Sequence, residues 1–180
     1  MGSKILITGR PGVGKTTVIR KVIAAGIPLA GGFTTEEIRD GGRRVGFRVR
    51  DIHSGQEGIL SHVDRKGTPR VGKYGVDVAS FDRIGVNALR ESLARRGCVI
   101  IDEIGKMELC SRALPDAVAA AMDCDLPVLG TIPIHQHPFL AGLRERKDVT
   151  VVEVTASSRD ALPARLVELL GFNQLRRCKP

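Results

Sequence analysis

Gly9-Arg10-Pro11-Gly12-Val13-Gly14-Lys15-Thr16 decides the fold, because it joins two segments of different period. Before it, Lys4–Thr8 (KILIT) is a short apolar run that reads as a strand. After it, Thr16–Ala25 sets Val18, Ile19, Val22 and Ile23 on one helical face, and Gly26 suits the position just past the helix end. A strand, a glycine-rich turn and a helix with the spacing G-x-x-x-x-G-K-[ST] form a cradle for a phosphate chain. Glycines let successive backbone N–H groups face the phosphate oxygens, and the helix start adds the positive end of its dipole. On this reading Gly9, Arg10, Pro11, Gly12, Val13, Gly14, Lys15, Thr16 and Thr17 bind a nucleotide. Lys15 reaches its β- and γ-phosphates, and the Thr16 hydroxyl ligates Mg²⁺.

A second stretch, Val99-Ile100-Ile101-Asp102-Glu103, ends an apolar strand in two acids. In open α/β sheets the carboxyl ends of strands are where ligands bind. Asp102 is placed to hold Mg²⁺, as the Walker B aspartate does, and Glu103 to orient an attacking water or take its proton. The adjacent glutamate also sorts the chemistry. A kinase must keep water out, whereas a carboxylate beside the metal-binding aspartate suits a hydrolase. Thr131 ends the Pro127–Thr131 strand. If that strand neighbours Cys98–Ile101, Thr131 is a candidate sensor of the γ-phosphate or the water. Lys106, Arg144 and Arg146 are candidates for a further cation supplied in cis.

The rest of the chain alternates strands and helices. Phe33–Arg39 and Arg44–Asp51 flank Asp40-Gly41-Gly42, a hairpin turn, and Gly58–Val63 reads as a third strand. Arg65–Tyr74 is polar and basic and reads as a loop. Ser80 is the expected cap of a helix to about Arg96, stopped by Gly97. Cys98–Ile101 is a strand. Ser111–Met122 is a helix with Pro115 near its first turn, and Val149–Val154 a further strand. A last helix, capped near Asp160, ends near Leu170. Leu126–Leu143 carries no Asp, Glu, Lys or Arg, but its prolines break it into a strand and a loop rather than a membrane span. The expectation is an α/β domain over residues 1–171, with a mostly parallel central sheet flanked by helices and a small antiparallel β insert around residues 33–63. Residues 172–180 form a short basic tail.

Composition narrows the function classes. The chain has 180 residues, 42% apolar and 27% charged, as one ordinary globular domain does. With five Phe, one Tyr and no Trp, its core must be built from Val, Ile, Leu and Ala. The net charge of +8 favours an anionic partner, and nucleic acid, a membrane surface and a polyphosphate nucleotide all satisfy it. The basic residues are scattered and aromatics are few, which argues against a stacking platform for single strands. Four cysteines without a C-x-x-C pair make neither a disulfide framework nor a zinc site. His135 and His137 lack a second ligand pair and read as loop residues. The N-terminus does not read as a signal peptide or a myristoylation site, and Cys178 sits too late for prenylation. A cytoplasmic location is expected.

With these residues in hand, the sequence resembles the cancer-related nucleoside-triphosphatase family of small P-loop enzymes. The resemblance rests on GRPGVGKTT (Gly9–Thr17), GGFTTEEIRDGGRRVGF (Gly31–Phe47), VGKYGVDVASF (Val71–Phe81) and CVIIDEIGKMEL (Cys98–Leu109), then LGTIPI and RERKDV. DEIGKMEL is the most specific of these. The resemblance implies a P-loop NTPase fold and Mg²⁺-dependent hydrolysis of ATP, GTP and other nucleoside triphosphates to diphosphate and phosphate. It also implies little base selectivity and a monomer. By position, Gly9–Thr16 would bind the phosphates, Asp102 the metal, and Glu103 would activate water. Thr34 stands where many relatives carry an aromatic residue, which bears on contacts with the base. The tail FNQLRRCKP lies outside the resemblance. The rival readings are a small nucleotide or nucleoside kinase and a nucleotide-switched RNA-binding module.

Overall fold

The described residues of the computed structural model, 2–67 and 69–172, alternate short apolar strands with helices. In chain order these are β1 (Lys4–Thr8), α1 (Lys15–Ala24), β2 (Leu29–Asp40), β3 (Arg43–Asp51), β4 (Glu57–His62), β5 (Arg70–Val71) and β6 (Tyr74–Val76). Then come α2 (Val78–Phe81), a π-helical stretch (Asp82–Val86), α3 (Asn87–Ser92), β7 (Cys98–Asp102) and a short 3-10 turn (Glu108–Cys110). The chain closes with α4 (Leu114–Asp123), β8 (Val128–Thr131), α5 (Pro138–Glu145), β9 (Val149–Glu153) and α6 (Leu162–Leu169).

The strands make one sheet in the order β5-β6-β4-β3-β2-β7-β8-β1-β9. From β2 to β9 every neighbour is parallel, and from β2 outward to β5 every neighbour is antiparallel. Period-two alternation divides the central strands between two apolar layers. Ile5, Ile7, Cys98, Ile100 and Leu129 face a cluster with Val18, Ile19 and Val22 of α1 and Leu162 and Leu166 of α6. Leu6, Val99, Ile101 and Val128 face the opposite cluster, with Leu89 of α3 and Val118 and Met122 of α4. All five residues of β7 are buried, as a strand covered on both faces requires.

The antiparallel region around residues 33–63 is an extension of the central sheet rather than a separate insert. β2 starts at Leu29, four residues earlier than expected, and its inner half pairs in parallel with β7 from Leu29↔Cys98 to Thr34↔Asp102. Its outer half pairs with β3. The glycines at its start mask the strand in sequence, and the fold needs one of them: a Cβ on Gly32 would collide with the Ile100 carbonyl oxygen on the neighbouring strand.

Other boundaries move for local reasons. The helical stretch expected from Ser80 begins at Val78, because Asp77 caps it by accepting the Ser80 N–H at 3.0 Å, and it ends at Ser92. α4 begins at Leu114, after Ser111 Oγ has accepted the Ala113 and Leu114 N–H groups at 3.2 Å each. α6 follows Ala161, one residue past Asp160 and so within the expected start, with Pro163 in its first turn. The segment expected to be loop between Thr131 and Leu143 contains α5. Its Pro138 opens the helix, where a missing N–H costs nothing, and His137 Nδ1 accepts the Phe139 N–H at 3.3 Å. Arg65–Tyr74 includes the two-residue strand β5. Most of the expected basic tail, residues 173–180, lies outside the described residues. Among the described residues no helix is long and apolar enough to cross a membrane.

One buried lysine ties the first strand to α4. Lys4 is 3% exposed, and its Nζ donates to the carbonyls of Ala121 (3.1 Å), Cys124 (2.7 Å) and Leu126 (2.5 Å). It thereby satisfies acceptors at the carboxyl end of α4 that the helix itself leaves open. Lys4→Met keeps the apolar stem and removes all three donors. It is expected to cost about 2–3 kcal/mol, read as a lower denaturant midpoint in urea; an unchanged midpoint would sink the assignment.

Candidate active site

β1 delivers the glycine-rich loop to the carboxyl rim of the sheet, and α1 carries it away. Gly12 and Gly14 take φ of 76° and 110°, backbone that side-chain-bearing residues rarely adopt, and Gly14 is the residue on which α1 begins. The turn closes with the Val13 N–H on the Arg10 carbonyl at 3.2 Å. Lys15 folds back over the loop, its Nζ donating to the Gly9 carbonyl at 3.3 Å.

β8 alone separates β1 from β7, so the acidic pair reaches the same rim. Lys15 Nζ lies 3.8 Å from Glu103 Oε1. Asp102 is 1% exposed, and its Oδ1 accepts the Thr131 hydroxyl at 2.6 Å. Thr131 therefore does not extend a free hydroxyl to the cleft. It is wholly buried, and its proton goes to the carboxylate beside it. The other oxygen, Asp102 Oδ2, is buried with no hydrogen-bond partner. A buried, unpartnered carboxylate oxygen is costly unless something else meets it. The Thr16 hydroxyl lies close enough to pull the Asp102 pKa down, while Oδ2 itself closes no hydrogen bond. A threonine hydroxyl and an open carboxylate oxygen are hard donors of the kind that fit Mg²⁺, which usually takes one or two protein ligands and completes its shell with water and phosphate.

Burial governs the acidities. It raises Asp102 above the usual carboxylate range, against the Thr131 and Thr16 hydroxyls and Lys15, which pull it down. It raises Glu103, against Lys15 and with the help of Asp102. A third acid, Glu108, is 6% exposed and lies beside them, pushed up to about 8 by burial first and then by the charges of Glu103 and Asp102.

These groups open into a cleft of about 790 Å³. Its lining includes Gly9, Pro11, Gly12, Gly14, Lys15, Thr16, Thr17 and Glu103, all expected from sequence. Of the three candidate cations only Lys106 lines it. Arg144 donates to the Pro133 carbonyl at 2.6 Å, and Arg146 is held by Asp123 and Asp148 at 2.8 Å each. The sequence reading missed Glu108 and the far wall, where Arg20 pairs with Glu36 at 2.8 Å and Arg44 with Glu37 at 2.9 Å. Arg44 also lies over the Phe47 ring, 5.1 Å from its centroid. His135 lines the cleft too, and burial lowers its pKa. Among the described residues no group of three or more His, Cys, Asp or Glu side chains gathers to bind a metal without a nucleotide.

A glycine-rich loop between a parallel strand and a helix, with an acid-tipped strand two places along the sheet, defines a P-loop NTPase. A family model described as NTPase matches residues 4–167, and the chain belongs to that family of enzymes. It is 42% identical over 171 residues to the nucleoside-triphosphatase THEP1 of Thermotoga maritima, covering 95% of this chain and 97% of that one. It is 45% identical over 167 residues to the protein of that name from Thermofilum pendens, covering 89% and 91%. The crystal structure of THEP1 from Aquifex aeolicus superposes with a TM-score of 0.83 at 40% identity, over 93% of this chain and 99% of that one. The solution structure of a human cancer-related nucleoside triphosphatase superposes with a TM-score of 0.79 at 39% identity, over 94% and 97%.

The raised acids set a pH dependence for the protein without ligand. Between a carboxyl's unfolded value, about 4.3 for a glutamate, and its raised folded value, the native state holds more protons than the unfolded one. Stability therefore falls as pH rises through that window. For Glu108 the window ends at about 8. Denaturant midpoints are expected to be lower at the top of this window than at its acid end, and Glu108→Gln to flatten the decline. A wild-type decline as steep in the glutamine variant would contradict this.

Proposed function

We propose that this enzyme hydrolyses ATP, GTP and other nucleoside triphosphates to the diphosphate and phosphate with Mg²⁺, Glu103 activating the water. The observation that carries the reading is the 3.8 Å approach of Lys15 to Glu103 at the rim where the phosphate loop opens. A γ-phosphate bound by the loop amides has the lysine on its oxygens and the glutamate on its attack side. Water enters opposite the bridging oxygen, and Glu103 accepts a proton from it as the new P–O bond forms. The bond to the β-phosphate then breaks and the diphosphate departs. Burial brings Glu103 towards the pH range in which a carboxylate works as a base, while Lys15 keeps it from rising further. Thr16 and Asp102 Oδ2 would hold the metal, and when bound it adds positive charge against the phosphate oxygens. Thr131, by donating to Oδ1, orients Asp102 for that task.

A second reading is favoured by one observation. The cleft continues past Glu103 to Arg44, Phe47 and Val71, farther than a water molecule requires. A bound acceptor hydroxyl there would make the enzyme a phosphotransferase. Phosphate release measured across the common nucleoside triphosphates, with and without Mg²⁺, tests the first reading. Loss of ATP that appears only when a nucleoside or monophosphate is added would favour the second.

Glu103→Gln is expected to keep nucleotide binding and to lower turnover by ~10²–10⁴. Wild-type turnover in that variant would remove Glu103 from the mechanism. Lys15→Ala is expected to weaken the triphosphate far more than the nucleoside, as isothermal titration would register. Equal affinities in wild type and variant would undo the phosphate-loop assignment.

A further inference from the structure

Of the stretch Asp102–Leu109 (DEIGKMEL), the proposed reaction uses the two leading acids, and Glu108 is left without a part in it. Glu108 opens the 3-10 turn Glu108–Cys110 and is nearly inaccessible, yet it lines the cleft. No ion pair to it forms among the described residues. Its Oε2 accepts the Gly105 N–H at 3.1 Å. Gly105 has no spare room on that side. A methyl group there would stand 2.7 Å from Glu108 Oε2 and 3.7 Å from both Cγ and Cδ of Glu103. The two glutamates thus close on one glycine, and the outer end of Glu103 meets Lys15.

We propose that Glu108 is the positioning residue for Glu103: its carboxyl grips Gly105 and so fixes the turn from which the Glu103 side chain reaches the attack side of the γ-phosphate. The proposal rests on the reading of Glu103 as the group that activates water. The carboxyl has a reason to be an acid rather than an amide-free apolar group: only a polar side chain can take the Gly105 N–H, which burial would otherwise leave orphaned. It also has a reason to stay uncharged. The groups acting on it are Glu103 and Asp102 from the end of β7, with its own N–H and that of Gly105, and the Cys110 thiol feels its charge in turn. Lys106, on the same turn, lines the cleft. Near neutral pH Glu108 adds no further negative charge where a polyphosphate must dock, and above about 8 it does.

The test compares wild type, Glu108→Ala, Glu108→Gln and Glu103→Gln. It reads steady-state hydrolysis and the affinity for a non-hydrolysable triphosphate analogue on both sides of the Glu108 value. Glu108→Ala is expected to hold analogue affinity within about threefold while kcat falls about tenfold or more. Glutamine copies the neutral acid, so Glu108→Gln is expected to restore most of that kcat and to lack the alkaline fall expected of the wild type as Glu108 ionises near pH 8. Wild-type kcat in the alanine variant, a loss of affinity equal to the loss of kcat, or an unchanged alkaline fall in the glutamine variant would each overturn the proposal. If the alanine variant does not fold, Glu108→Met, which keeps the volume but cannot accept the Gly105 N–H, takes its place with the same expected split between kcat and affinity. Undiminished turnover in Glu103→Gln defeats the underlying reading instead, and it is distinguishable because it does not involve Glu108.

Discussion

Three carboxyl groups share the rim of this sheet with Lys15, and the difficulty of keeping so much like charge out of water organises the site. Asp102, Glu103 and Glu108 are all raised, each chiefly by burial. Desolvation of this kind disfavours the charged form unless cations or hydrogen-bond donors answer it. Each acid has a different answer. Asp102 receives the Thr131 hydroxyl on one oxygen and leaves the other open. Glu103 has Lys15. Glu108 has only backbone N–H groups and is pushed up to about 8. A triphosphate brings yet more negative charge, so a divalent cation beside Asp102 is the natural complement of the arrangement proposed above.

The sheet makes that convergence possible. β1, β8, β7 and β2 run in parallel, and the register pairs Ile7 with Thr131, Ile101 with Gly130 and Thr34 with Asp102. Loop, hydroxyl and acids therefore finish at one level, although they come from distant parts of the chain. Stiff strands such as Cys98–Asp102, apolar up to the acid at their tip, hold this level better than loops would, which suits a site whose parts must stay within an ångström or so of one another.

The phosphate loop and the acid pair were legible because each is a contiguous motif whose flanks confirm it. Lys15 and Glu103 could be paired before any coordinates, since parallel α/β sheets place both strand ends together. What stayed hidden was non-local or disguised. Ala30-Gly31-Gly32 carries no strand pattern yet lies in β2, and at Gly32 the closeness of β7 demands a residue without a side chain. Pro138 looks like a breaker and is a helix start. Thr131 sat at the foreseen strand end, but which neighbour would take its proton depends on the β7–β8 pairing, which no local pattern encodes. The Asp123 partner of Arg146 likewise comes from a contact made across the fold.

β2 has twelve residues and belongs to both halves of the sheet. Its Thr34 lies alongside Asp102, while a few residues on, Glu36 and Glu37 line the cleft and the strand runs out to the exposed turn at Gly41 and Gly42. Backbone hydrogen bonds make such a ribbon a lever whose short arm lies beside Asp102 and whose long arm stands in solvent. A push on that tip would travel along the ladder, across the register shift at Ile38 and Arg39, towards Asp102.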